Sequence, residues 1–121
     1  MSKRILIVDD SASVRQVAGI ALSRAGYEVI EACDGQDALS KLNGKVHLII
    51  SDVNMPRMDG ISFLKAVKAH PSYKFTPVIM LTTEAGEDKK NEGRAAGARA
   101  WIVKPFQPQT MLDAVAKLVL A

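Results

Sequence analysis

Apolar runs and helix-spaced apolar residues alternate five times along the chain. Lys3 to Val8 contains the unbroken run Ile5-Leu6-Ile7-Val8, which predicts a strand covered on both faces. Val14, Val17, Ala18, Ala21 and Leu22 then recur at helical spacing, and Gly26 is placed to stop that helix. Tyr27 to Ala32 reads as a second strand; Glu28 and Glu31 interrupt it, which predicts an edge position. Asp34 can cap a short helix carrying Ala38, Leu39 and Leu42 and ending at Asn43-Gly44. Val46 to Ser51 gives a third strand, and Ile61, Leu64 and Val67 a third helix that fades before Pro71. Pro77 to Leu81 is the fourth strand. Gly86 to Ala96 predicts a fourth helix that is poor in large apolar residues, and Gly93 within it costs about 1 kcal/mol relative to alanine. Ala100 to Val103 is the last strand. Pro108 sits near the start of a final helix whose buried stripe is Met111, Leu112, Val115, Leu118 and Val119.

Strands that are apolar throughout belong to parallel sheets with helices on either side. Right-handed crossovers turn five such units into a doubly wound α/β layer, and the flavodoxin-like strand order 2-1-3-4-5 is the natural choice. The 121 residues fit one domain, predicted to span 1–121 with no output domain.

Composition narrows the setting. A hydrophobic fraction of 48% and a charged fraction of 24% suit a globule with an ordinary core. Cys33 is the sole cysteine, so no internal disulfide can form and a reducing, cytoplasmic setting is expected. The N-terminal apolar run is too short for a signal peptide or a membrane span, which predicts no membrane insertion. The net charge of +3 comes from sixteen basic residues interspersed with thirteen acidic ones, and aromatic residues are few. That favours a solvated surface over nucleic-acid binding.

The candidate chemistry lies at the strand ends. In an open parallel sheet, ligands bind beyond the carboxyl ends of the strands, where strand order reverses. In the 2-1-3-4-5 order that point falls between strands one and three, which end in Asp9, Asp10 and Asp52; the neighbouring strands end in Thr82 and Lys104. Asp9-Asp10 alone would read as a helix N-terminal signal, and Lys104 alone as a solvated lysine. Together, three carboxylates, a hydroxyl and an ammonium from four stretches of sequence point to one site. The crowded carboxylates call for a cation. Lys104 supplies one charge and a hard, oxygen-liganded dication such as Mg2+ would supply more, whereas no thiolate or histidine set suits a softer metal. A carboxylate can attack phosphorus to give an acyl phosphate, and the surrounding groups then need only position and neutralise the transferred oxygens. No Gly-x-x-x-x-Gly-Lys loop is present, so the donor need not be a bound nucleotide. Asp52 is the best nucleophile, because it ends the central strand and precedes the turn-forming Met55-Pro56-Arg57-Met58-Asp59-Gly60.

Val8-Asp9-Asp10-Ser11, Ser51-Asp52-Val53-Asn54-Met55-Pro56-Arg57-Met58-Asp59-Gly60, Leu81-Thr82 and Val103-Lys104-Pro105-Phe106 resemble the signature set of response-regulator receiver domains, end to end. Asn-Met-Pro after the aspartate and Thr-x-Glu after the fourth strand look most like the single-domain chemotaxis regulators of the CheY type. The resemblance implies that Asp52 accepts a phosphoryl group from the phosphohistidine of a CheA-like sensor kinase. It implies Mg2+ held by Asp10, Asp52 and the backbone carbonyl of Asn54, with Asp9 acting through water. Thr82 and Lys104 would stabilise the phosphoryl group, and the Lys104–Pro105 bond would be cis. Asn54, Glu84 and Thr83 stand where hydrolysis is tuned, with Thr83 in place of the usual small residue. Trp101 replaces the usual tyrosine or phenylalanine that switches together with the threonine.

The implied protein is a monomer when unphosphorylated. Once phosphorylated, it presents a helix 4/strand 5/helix 5 face to a target such as a flagellar motor switch protein, with a phosphatase as a further partner; a phosphate sink or relay intermediate is the alternative. Lys89, Lys90, Arg94 and Arg99 read equally as docking or solubilising charge. A haloacid-dehalogenase-like phosphatase would carry a second aspartate at position 54, where Asn54 stands. A flavin-binding carrier would not place Asp9-Asp10 in its phosphate loop. His47, His70 and Cys33 read as structural or passive residues.

Overall fold

A five-stranded parallel sheet of order β2-β1-β3-β4-β5 forms the centre of the computed structural model, which describes residues 3–53, 55, 58–82 and 87–119, the side chains of 87–90 excepted. The elements alternate throughout: β1 Arg4–Val8, α1 Ala12–Arg24, β2 Glu28–Ala32, α2 Gly35–Ser40, β3 Leu48–Asp52, α3 Gly60–Ala69, β4 Val78–Thr82, α4 Glu87–Ala96, β5 Ala100–Val103 and α5 Pro108–Leu118. β2 lies at one edge, where its two glutamates face solvent.

Period-two alternation sorts the strand residues between two cores. Ile5, Ile7, Leu48, Ile50, Ile79, Leu81 and Ile102 face α1 and α5, meeting Ala18, Leu22, Met111 and Val115. Leu6, Val8, Ile49, Val78 and Met80 face the opposite layer, meeting Ala38 of α2 and Ile61, Phe63, Leu64 and Val67 of α3. Each fully buried Leu or Ile stabilises the fold by roughly 1.5–3 kcal/mol, so β3 and β4, buried at every position, anchor the sheet. Val17, expected in the α1 stripe, is half-exposed, because α1 turns Ala18 and Leu22 to the sheet.

The helix starts are set by side-chain caps. Ser11 Oγ accepts from Val14 N, Asp34 Oδ1 from Asp37 N, and Asp59 Oδ1 from Ser62 N. The acidic pair Asp9-Asp10 is therefore not the cap of α1; that place belongs to Ser11. β3 starts two residues later than the apolar run suggests and ends on Asp52. Likewise α2 closes at Ser40, leaving Leu42 to pack from the following loop.

Candidate phosphoacceptor and metal site

Strand register builds the site. β1 pairs with β3 as Ile5 with Leu48 through Val8 with Ser51, so one step further sets Asp9 level with Asp52. By parity Asp9 continues the Ile5–Ile7 face, Asp52 the Leu48–Ile50 face and Lys104 that of Ile102, all on the α1/α5 side. Carboxylate oxygens of Asp9, Asp10 and Asp52 lie within 4.8 Å of one another. Asp9 is fully buried, Asp52 is 4% exposed and Asp10 faces solvent.

Lys104 is the cation that makes this crowding tolerable. Its Nζ donates to Asp9 Oδ2 at 2.8 Å and lies 3.4 Å from Asp52 Oδ1. Burial alone would lower its pKa, but the hydrogen bond to Asp9 and the charges of Asp9 and Asp52 outweigh that and hold it above the ordinary lysine value. It is therefore an ammonium at every physiological pH. Its backbone N–H donates to Thr82 O at 2.7 Å, and the Lys104–Pro105 peptide is cis.

Asp9 is held on two sides, its Oδ1 accepting from Ser11 N at 2.9 Å and its Oδ2 from Lys104. The backbone around Asp52 is fixed by close approach. Gly60 N donates to Val53 O at 2.7 Å, and a Cβ on Gly60 would run into the Asp52 carbonyl oxygen. Glycine is required there for space, so that α3 can start directly beneath Asp52. Thr82, fully buried, follows Leu81, the register partner of Asp52. Its parity is that of Met80, and Met80 pairs with Trp101, so Thr82 and Trp101 are diagonal neighbours beneath α4. The indole is half-buried against the α3-side core, and among the described residues its Nε1–H has no acceptor.

Asp9, Asp10, Asp52 and Lys104 thus come together, with Thr82 one residue beyond and Trp101 set apart on the α4 side. Asn54, Thr83 and Glu84 lie outside the described residues. Sequence reasoning passed over Arg15, whose Nη1 donates to the Asp9 carbonyl at 2.6 Å; its signal was a cation one turn into the helix that opens at the site.

The donor set fits Mg2+. It consists of oxygens only, one carboxylate is open to solvent for a hydrated ion, and the two buried ones are already polarised by an ammonium. A doubly wound sheet with an acidic cluster, a lysine and a threonine at its carboxyl edge defines a phosphoryl-accepting switch domain. Residues 5–116 match the family model for the response regulator receiver domain, and the chain belongs to that family. It is 42% identical to the chemotaxis protein CheY1 of Helicobacter pylori over 113 residues, covering 91% of each chain. It is 36% identical to the protein PilG of Pseudomonas aeruginosa, covering 93% of this chain and 84% of that one. Among solved structures, the chemotaxis response regulator CheY4 of Vibrio cholerae is 50% identical, with a TM-score of 0.92 over 98% of this chain and 99% of that one.

Proposed function

We propose that this chain works as a CheY-like response regulator whose Asp52 carboxylate accepts a phosphoryl group from a histidine kinase. The observation that carries the reading is the Lys104 ammonium bound to two buried carboxylates, at the level where β1 and β3 part. An ammonium fixed there neutralises the anion that arrives at Asp52 without leaving its position.

In the proposed step, an oxygen of Asp52 bonds to phosphorus as the P–N bond to the donor's imidazole breaks, and the imidazole leaves with the electron pair. Lys104 then pairs with a phosphoryl oxygen while still donating to Asp9. The Thr82 hydroxyl donates to another phosphoryl oxygen. Asp9, Asp10, Asp52 and the Asn54 carbonyl are the groups proposed to hold Mg2+, which supplies charge neutralisation at the phosphoryl oxygens. Water attack on the same acyl phosphate returns the carboxylate, so the chain catalyses its own reset without being an enzyme toward another substrate.

An apolar groove of about 450 Å³, lined by Ser13, Val14, Val17, Lys104, Pro105 and Phe106, is the proposed seat for a protein donor. On the other side of the sheet, Thr82 and Trp101 form the proposed switch pair. An indole whose N–H forgoes a hydrogen bond, at roughly 1–3 kcal/mol, is not tied in place by one and would gain by moving to an acceptor when Thr82 shifts. The relatives named as chemotaxis proteins support a chemotaxis role, with a flagellar motor switch protein as target of the α4–β5–α5 face.

Incubation with acetyl phosphate and Mg2+, followed by intact mass, tests the reading. The expected result is a gain of one phosphoryl group that is absent in Asp52→Asn and without Mg2+. A wild-type mass that never changes would overturn it.

A further inference from the structure

Arg15 takes no part in the chemistry above, yet it grips the turn that carries the acidic pair. It lies in the second turn of α1 and its side chain is 19% exposed. Its Nη1 donates to the Asp9 carbonyl at 2.6 Å, and its Nε lies 3.3 Å from Oε1 of Glu31 on β2. The N–H of Asp9 donates to Ala32 O, also on β2, at 3.1 Å. Both backbone polar groups of Asp9 are thus tied to β2, one directly and one through the guanidinium.

The carbonyl of Asp9 belongs to the peptide plane shared with Asp10. Fixing that plane fixes where the Cα–Cβ bond of Asp10 starts. This matters because the Asp9 carboxylate has its own anchors in Ser11 N and Lys104 Nζ, whereas the Asp10 carboxylate faces solvent and takes its direction from the backbone. A planar fork with several N–H groups can hold a carbonyl and a carboxylate at once, which suits arginine to the task.

We propose that Arg15 is a positioning residue for the divalent-cation site, clamping the Asp9–Asp10 turn to β2 so that the exposed carboxylate stands ready beside Asp9 and Asp52. The inference rests on the reading that these three carboxylates hold Mg2+. It has a sign that separates it from a simple charge effect. A guanidinium near a cation site repels the cation, so neutralising it should tighten Mg2+ binding if charge were all that mattered. Loss of positioning should weaken it.

The test is Mg2+ binding to the full chain by isothermal titration calorimetry, without any phosphoryl donor. Arg15→Met is expected to weaken Mg2+ roughly tenfold, the scale typical of groups that orient metal ligands, and Arg15→Lys to recover most of that loss. Val115→Ala, a core change on α5 that lowers stability, is expected to leave Mg2+ affinity unchanged. Should Arg15→Met fail to fold, Arg15→Gln gives the same test, with a weakening in the same direction but smaller, because the shorter amide retains a donor. Unchanged or tighter Mg2+ binding in the neutral variant overturns the proposal. A wild-type chain that binds no Mg2+ overturns the metal reading itself, and this proposal with it.

Discussion

Two residues show how single side chains set both stability and its pH dependence. Lys104 balances a fully buried Asp9, and breaking a buried pair by removing one partner typically costs about 3 kcal/mol. Lys104→Met is therefore expected to lose about that much stability without divalent cations, and to regain part of it in Mg2+, as urea melts with and without the ion would show. His47 sits at the far end of the sheet. Its Nδ1 accepts from Arg4 N at 2.9 Å while its backbone N–H donates to Arg4 O at 2.8 Å, so β1 begins on this one residue. Burial first, and then the charges of Lys3 and Lys45, hold its pKa below the ordinary histidine value. The sign follows from linkage. The unfolded chain takes up a proton near pH 6.5 while the native imidazole stays neutral, so stability is full above that pH and falls as pH drops through the window beneath it. Protonation would also set an N–H against the Arg4 N–H. Asn in place of His47 keeps an acceptor and cannot titrate; His47→Asn is expected to flatten the stability difference between pH 7.5 and pH 5.5 relative to wild type, in paired denaturant melts.

At the scale of elements, α4 and β5 form one unit. Gly93 reads from sequence as a defect in α4, yet an added Cβ would lie 2.5 Å from Cζ3 and 3.2 Å from Cε3 of Trp101. The indole needs the space that the missing side chain leaves. Gly93→Ala gains about 1 kcal/mol of helix propensity against an overpacking cost of about 1–3 kcal/mol. The ring is rigid and backed by the α3-side core, so overpacking is expected to win by about 1 kcal/mol. Trp101 is the only tryptophan, so its fluorescence reports the displacement directly. Trp101→Phe removes the outer ring atoms, and Gly93→Ala on that background is expected to turn neutral or stabilising in thermal melts. This pair also marks where sequence reading stops. The five alternations, the edge position of β2 and the strand order are legible because period-two and helical patterns report burial directly. The gathering of Asp9, Asp52 and Lys104 is legible because strand ends inherit a common edge from the topology. Arg15 and Gly93 are not, since each acts through a partner sixteen or fewer residues away whose contact depends on packing between elements. Val17 fails for the same reason, as an apolar residue at the right spacing whose helix is rotated by its neighbours.

For the whole molecule, the carboxyl edge of the sheet is an electrostatic load that the two cores sustain. Three carboxylates lie together, and the Lys104 ammonium that pairs with two of them sits closer to Asp9 than to Asp52. Asp52 therefore gains less from Lys104 than Asp9 does, while still repelling the other two. Asp52→Asn keeps the shape, removes one negative charge and leaves the shorter Lys104–Asp9 pair intact. Without divalent cations it is expected to be more stable than wild type by about 1 kcal/mol, or roughly 5 °C in Tm for a chain of this size. Mg2+ acts on the same term from the other side. At ten times its Kd a ligand of the native state adds about 1.4 kcal/mol, and wild type should gain that much. Asp52→Asn, short of one ligand oxygen's charge, should gain far less, so the two melting curves are expected to converge as Mg2+ is raised. Calorimetric scans of both proteins across a Mg2+ series decide it. A variant less stable than wild type in the absence of the ion would mean that Lys104 and the surrounding N–H groups already over-compensate the cluster, and that Asp52 is held in place for the fold as much as for chemistry.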